Sequence, residues 1–156
     1  MQTQELLVKA AEAARQTVNS SLEGPFGAAV VDESGAVFLG SNTEISSNDP
    51  TAHAEINAIR KACAEKQTHD LSGCTLYSTC YPCPMCLSAC IWAHIKEVHY
   101  GCTLEDAKKY GFDDIFIYDF IAEGCTDDEV LILHAEDKEA CVALFEHHKA
   151  KSSILR

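Results

Sequence analysis

His53, Glu55, Cys83 and Cys86 are the residues of this chain best suited to chemistry. They lie in two short segments, Thr51-Ala-His-Ala-Glu55 and Cys80-Tyr-Pro-Cys-Pro-Met-Cys86. One imidazole and two thiolates are ligands that zinc prefers, and three ligands fall one short of a closed structural site. The fourth position is then open to water. Zinc lowers the pKa of a bound water toward neutrality. A carboxylate two residues from the histidine can take that proton and pass it on. Neighbours two apart on a helix diverge, so Glu55 is better placed above the metal than as a fourth ligand. The expected centre is Zn2+, one per chain, on His53, Cys83 and Cys86, with Glu55 as the catalytic proton carrier. A closed Cys3His site using Cys80 is the structural alternative. Cys80 ends a predicted strand just before Pro82 and is expected to point away from the helix start.

Both halves of the motif fall where helices should begin. Pro50 and Pro84 each suit a first helical position, which puts His53 in a first turn and Cys83 at an N-cap. Cys86 follows one turn deeper on the same side. The free N–H groups and partial positive charge of a helix start favour thiolate over thiol. Two such starts facing each other across a sheet would bring the three ligands to one point.

The surrounding pattern supplies that sheet. Leu6, Leu7, Ala10, Ala11, Ala14, Val18 and Leu22 recur at helical spacing over 4–22, and Glu23-Gly-Pro25 ends the run. Residues 27–31 and 36–40 read as strands joined by the turn Asp32-Glu-Ser-Gly35. Residues 41–50 read as a polar loop, and 50–64 as a helix. Strands are expected at 74–79, 96–100 and 129–133. Helices are expected at 83–93, 104–110 (capped by Thr103) and 138–149. Residues 111–124 suit either state. Alternating strands and helices over 156 residues predict one α/β domain in three layers, with some parallel pairing.

Composition narrows the function. The net charge is −12, from 24 acidic and 12 basic side chains. Basic residues gather only at Lys149-Ala-Lys151 and Arg156. This lacks the basic stripe that nucleic-acid binding needs and favours a small substrate. No run approaches the ~18 apolar residues of a membrane span, and the start of the chain does not read as a secretory leader. Nine cysteines, an odd number, fit a metal site and small core residues better than a disulfide framework. The cytoplasm is the expected location, with no membrane partner.

The order His-x-Glu … Pro-Cys-x-x-Cys is the signature of zinc-dependent nucleobase deaminases. With it, Gly24-Pro-Phe-Gly-Ala28, Ser47-Asn-Asp-Pro50, Ala58-Ile-Arg-Lys-Ala-Cys63 and Gly111-Phe-Asp-Asp114 make nearly the whole chain resemble the cytidine deaminase superfamily. Within that superfamily, the Gly-Phe-Asp-Asp segment resembles the bacterial guanine deaminases. The resemblance implies an α/β/α sandwich around a five-stranded mixed sheet, a homodimer, and a C-terminal segment that can cross to the neighbouring subunit. It implies a free nucleobase as substrate, guanine first. Nucleosides, pyrimidines and tRNA adenosine are the alternatives on the same fold, and a non-catalytic zinc-stabilised module is the alternative of another class. Carried over by position, Asn42 would bind the base edge and Asp114 would face the purine N–H groups. Phe26 and Trp92 would wall the ring, with Ala54 beside them. Two positions depart from the pattern: Tyr81 stands where glutamate is usual, and the tail ending in Arg156 lacks a terminal aromatic.

Overall fold

A computed structural model describes residues 2–136 and 138–154. Two compact units divide the chain, Met1–Tyr118 and Asp119–Arg156. The first unit holds helix α1 (Thr3–Ser20), strands β1 (Gly27–Val31) and β2 (Val37–Ser41), helices α2 (Glu44–Ser47) and α3 (Ala54–Lys66), strand β3 (Thr75–Cys80), helix α4 (Pro84–Trp92), strand β4 (Glu97–Cys102) and helix α5 (Leu104–Lys109). Helix α6 (Ile115–Ala122) leads into the second unit, whose main element is helix α7 (Glu139–Ile154).

The sheet order is β2-β1-β3-β4. β1 pairs antiparallel with β2 and β3, and β3 pairs parallel with β4 through the α4 crossover. Two glycines show how the helices sit on it. A Cβ at Gly27 would overlap the Ala10 carbonyl of α1, and a Cβ at Gly40 would overlap the Ala54 carbonyl and Ala58 nitrogen of α3. Gly40 pairs with Ala28, the residue after Gly27. Successive residues of a strand face opposite sides, so α1 and α3 cover opposite faces. The three-layer α/β/α reading therefore holds. The main core lies on the α3 side, where Ala28, Val30, Phe38, Leu76, Ala54, Ala58 and Ala62 are buried together. Alanines on α3 let the helix backbone approach the strands closely.

The expected five-stranded sheet is corrected to four strands among the described residues. The segment 129–133, expected as the fifth strand, forms none: residues 128–130 are a turn and 131–133 have no regular structure. The Asp127 carboxylate accepts from Glu129 N at 3.0 Å, and its carbonyl accepts from Val130 N at 3.1 Å and Leu131 N at 3.2 Å. This local turn takes the N–H groups a strand would need.

A second correction concerns residues 41–53. The supposed loop contains α2, and α3 begins at Ala54, not at Pro50. Asp49 accepts from Thr51 N at 2.8 Å and Thr51 Oγ1 at 2.6 Å, so Pro50 sits in a turn and not in a first helical position. His53 becomes the N-cap of α3. The Glu23 carboxylate holds α2 in place by accepting from Ile45 N at 3.1 Å and Ser46 N at 2.7 Å. In the second unit, α7 exposes Leu144 and Phe145. Leu155 and Arg156, where the resemblance expects an aromatic closing group, lie outside the described residues.

Candidate metal centre and active site

Residues at two helix starts build the site. His53 has extended backbone (φ −69°, ψ 159°), and its side chain caps nothing, which leaves the ring free to turn inward. Cys83 is the N-cap of α4, with Pro84 at its start. The preceding turn is tied down by Tyr118, whose hydroxyl donates to the Pro82 carbonyl at 2.6 Å. Cys86 points the same way one turn later and is fully buried. The ligand atoms of His53, Cys83 and Cys86 all lie within 4.8 Å of one another.

Their spacing can be tested against a metal. Tetrahedral zinc, with Zn–S about 2.3 Å and Zn–N about 2.0 Å, sets sulfur and nitrogen about 3.5 Å apart. His53 Nδ1 is 3.5 Å from Cys83 Sγ and 3.6 Å from Cys86 Sγ. Both nitrogen–sulfur distances match that spacing, so the donor set fits zinc. The local field also favours thiolate at Cys83, which a hydrogen bond from Cys86 and the neighbouring His53 hold well below the usual thiol range. The same thiol partner pushes the His53 ring up to about 9, against the effect of burial.

Glu55 lies in the first turn of α3 and is 5% exposed. Ser78 Oγ donates to its Oε1 at 2.8 Å, and Cys86 Sγ lies 3.4 Å from its Oε2. One carboxylate oxygen is thus pinned to the sheet while the other faces the metal group. Burial is the main reason its pKa is raised. A cleft of about 260 Å³ opens over this cluster, lined by Phe26, Asn42, Glu44, His53, Glu55, Cys80, Tyr81, Cys83, Phe112, Asp113 and Asp114. Phe26 and Phe112 meet edge to face at 5.0 Å. Asp114 is partly buried, and desolvation raises its pKa.

Residues 1–102 match the family model described as the cytidine and deoxycytidylate deaminase zinc-binding region. The chain belongs to the cytidine and deoxycytidylate deaminase family. Zinc is its cofactor, as the family and the His/Cys/Cys group agree. The deaminase is 47% identical over 118 residues to the guanine deaminase of Bacillus subtilis, covering 76% of each chain. The crystal structure of a guanine deaminase from Bacillus subtilis superposes with a TM-score of 0.88 at 40% identity, over 96% of this chain and 95% of that one. A tRNA-specific adenosine deaminase of Buchnera aphidicola is 42% identical over 90 residues, which span 58% of this chain and 60% of that protein.

The residues that the resemblance pointed to are not all in this cleft. Asn42, Phe26 and Asp114 line it with Glu55. Ala54 is fully buried and does not line it; its backbone N–H donates to Asn42 Oδ1 at 2.9 Å. Trp92 ends α4 with 82% of its surface exposed and does not line the cleft. It belongs to an exposed face of α4, beside Ile91. Cys80 shares the face of Leu76 and Ser78 and lines the cleft, while its thiol is directed to the Thr103 carbonyl at 3.6 Å. It is not in the metal group, however, and burial pushes its thiol up to about 11. Tyr81, the departure from the family pattern, lines the cleft and packs edge-on to Tyr100 at 4.9 Å. The sequence reading missed Ser78, Glu44, Phe112 and Asp113. Strand alternation from Leu76 could have found Ser78, and the Gly-Phe-Asp-Asp motif contains Phe112 and Asp113. Nothing local marks Glu44.

Proposed function

We propose that this deaminase converts guanine to xanthine and ammonia by hydrolysis, with His53, Cys83 and Cys86 as the zinc ligands and Glu55 as the catalytic acid–base. Asp114 is the observation that carries the choice of guanine. It is a partly buried carboxylate in the same cleft as Glu55. Guanine presents N1–H and its amine as donors, and an ionised carboxylate only accepts. The likeness to the guanine deaminase of Bacillus subtilis also extends over far more of the chain than the likeness to the tRNA-specific enzyme. A net charge of −12 disfavours an RNA substrate.

Zinc bound at this centre supplies Lewis acidity that makes a water a competent nucleophile near neutral pH. Glu55 Oε2, on the metal side, would take one proton from the attacking water and give it to a ring nitrogen, then take that water's second proton and give it to the departing amine, which leaves as ammonia. Ser78 holds Oε1 and so keeps Glu55 aimed. Phe26 and Phe112 offer an apolar wall to a planar base, and Asn42 and Asp114 offer its polar edge. A non-catalytic zinc module would have no use for a buried carboxylate held in this way.

The same reading takes the chain as one deaminase domain that works in the cytoplasm as a homodimer, with the C-terminal segment exchanged between subunits. Nine free cysteines suit a reducing compartment. Among the described residues no helix is long and apolar enough to cross a membrane. Large apolar side chains left exposed, such as Ile91 and Trp92 on α4 and Leu144 and Phe145 on α7, suit a partner surface. Sedimentation of the holoenzyme is the check, and a one-chain mass would remove the dimer.

Asp114→Ala tests the substrate assignment. Hydrogen bonds to charged groups contribute about 1.5–3 kcal/mol, so kcat/KM for guanine should fall roughly 10- to 150-fold. Bound zinc should be unchanged, since Asp114 is not in the metal group. A fall of less than about threefold would remove Asp114 from recognition.

A further inference from the structure

We infer that Glu44 is a positioning residue that holds the metal ligand His53 and the base-edge residue Asn42 with the two oxygens of one carboxylate. The inference rests on the zinc and Asn42 roles proposed above. Asn42 Nδ2 donates to Glu44 Oε2 at 2.8 Å. His53 Nε2 lies 3.4 Å from Glu44 Oε1. The other face of the imidazole, Nδ1, is turned to Cys83 and Cys86. A ring that ligates through Nδ1 carries its proton on Nε2, and a carboxylate at Nε2 fixes that tautomer and the ring's rotation. Asn42 is fixed at both ends, because its Oδ1 accepts from Ala54 N at 2.9 Å, in the first turn of the helix that His53 caps.

Glu44 is itself anchored. It opens α2, whose next two backbone N–H groups are held by the buried Glu23 carboxylate. A chain of fixed groups therefore runs from Glu23 through α2 to Glu44, and from there to both the metal ligand and the substrate amide. Two donors face Glu44, and only an ionised carboxylate can accept from both without presenting a donor of its own. Glutamine keeps the length but turns an N–H toward one of the two donors. Aspartate keeps the charge on a shorter arm.

The test is Glu44→Gln and Glu44→Asp, read first by zinc affinity. Starting from the holoenzyme, competition with a chelator should show zinc held about 10- to 100-fold more weakly in Glu44→Gln, the range typical for a lost carboxylate partner of a metal-bound histidine. Glu44→Asp should recover part of that loss. At full zinc loading, Glu44→Gln should raise KM for guanine while kcat stays within about threefold, because Asn42 is released but Glu55 is not. Glu44 is about one-third exposed, on a short surface helix, so folding is not at stake. Zinc affinity within about twofold of the unmodified enzyme overturns the inference, and so does an aspartate variant no better than glutamine. The zinc measurement involves no substrate. It therefore stands or falls separately from guanine as the substrate, which fails only if the unmodified enzyme does not turn guanine over.

Discussion

Glu55→Gln is expected to keep its zinc and its fold and to lose at least ~10²–10⁴-fold in kcat, the usual contribution of a positioned acid–base group. The loss should sit toward the upper end of that range or beyond it, because the same carboxylate serves more than one proton transfer. Glutamine matches glutamate in shape, and its amide oxygen can still accept from Ser78 Oγ as Oε1 does at 2.8 Å. Neither Glu55 oxygen belongs to the metal group, so the ligand set is untouched. What disappears is the ability to take a proton at the position of Oε2. Metal analysis and steady-state kinetics on one preparation decide the matter. Full zinc with activity within threefold of the unmodified enzyme would remove Glu55 from the mechanism.

Cys83→Ala is expected to lose zinc, and activity with it. Losing a partner that only supports a ligand already costs about 10–100-fold in metal affinity, so losing a ligand itself should cost at least ~100-fold. The variant should also melt at lower temperature, since a metal that binds only the folded state stabilises it. Cys80→Ala is the matched control. Its thiol lies three residues away and lines the same cleft, yet it is outside the group that converges on His53. That variant should keep full zinc. Zinc lost from Cys80→Ala and retained by Cys83→Ala would show the ligand set to be wrong.

The chemistry of this chain was more legible than its framework. Ligand types and spacing are local, and a proline beside a cysteine is enough to place an N-cap, so Cys83 and Cys86 could be read directly. The Leu76-Ser78-Cys80 alternation was equally present in the sequence, and followed to the strand's end it places Cys80 on the side of Ser78. Pro50 misled because an Asx turn at Asp49 competes with helix for the same backbone groups. The segment 129–133 misled because strand-like composition does not secure a pairing partner, and the N–H groups there are taken by the turn at Asp127. Glu44 could not be found at all. Its importance comes from contacts with Asn42 and His53, and from an anchor at Glu23 that only the folded chain supplies.

The most direct test of the whole account is ammonia release by the zinc-loaded enzyme, measured side by side on guanine, guanosine, cytosine, cytidine, adenine and a tRNA anticodon stem-loop. A site that holds donors with a partly buried carboxylate rejects bases lacking them, because the carboxylate is left unpaired. The expected result is that guanine gives the highest kcat/KM, with xanthine as product, and that adenine and cytosine are poor substrates by roughly 10²-fold or more. Faster turnover of a nucleoside, a pyrimidine or the RNA than of guanine would contradict the account at Asp114.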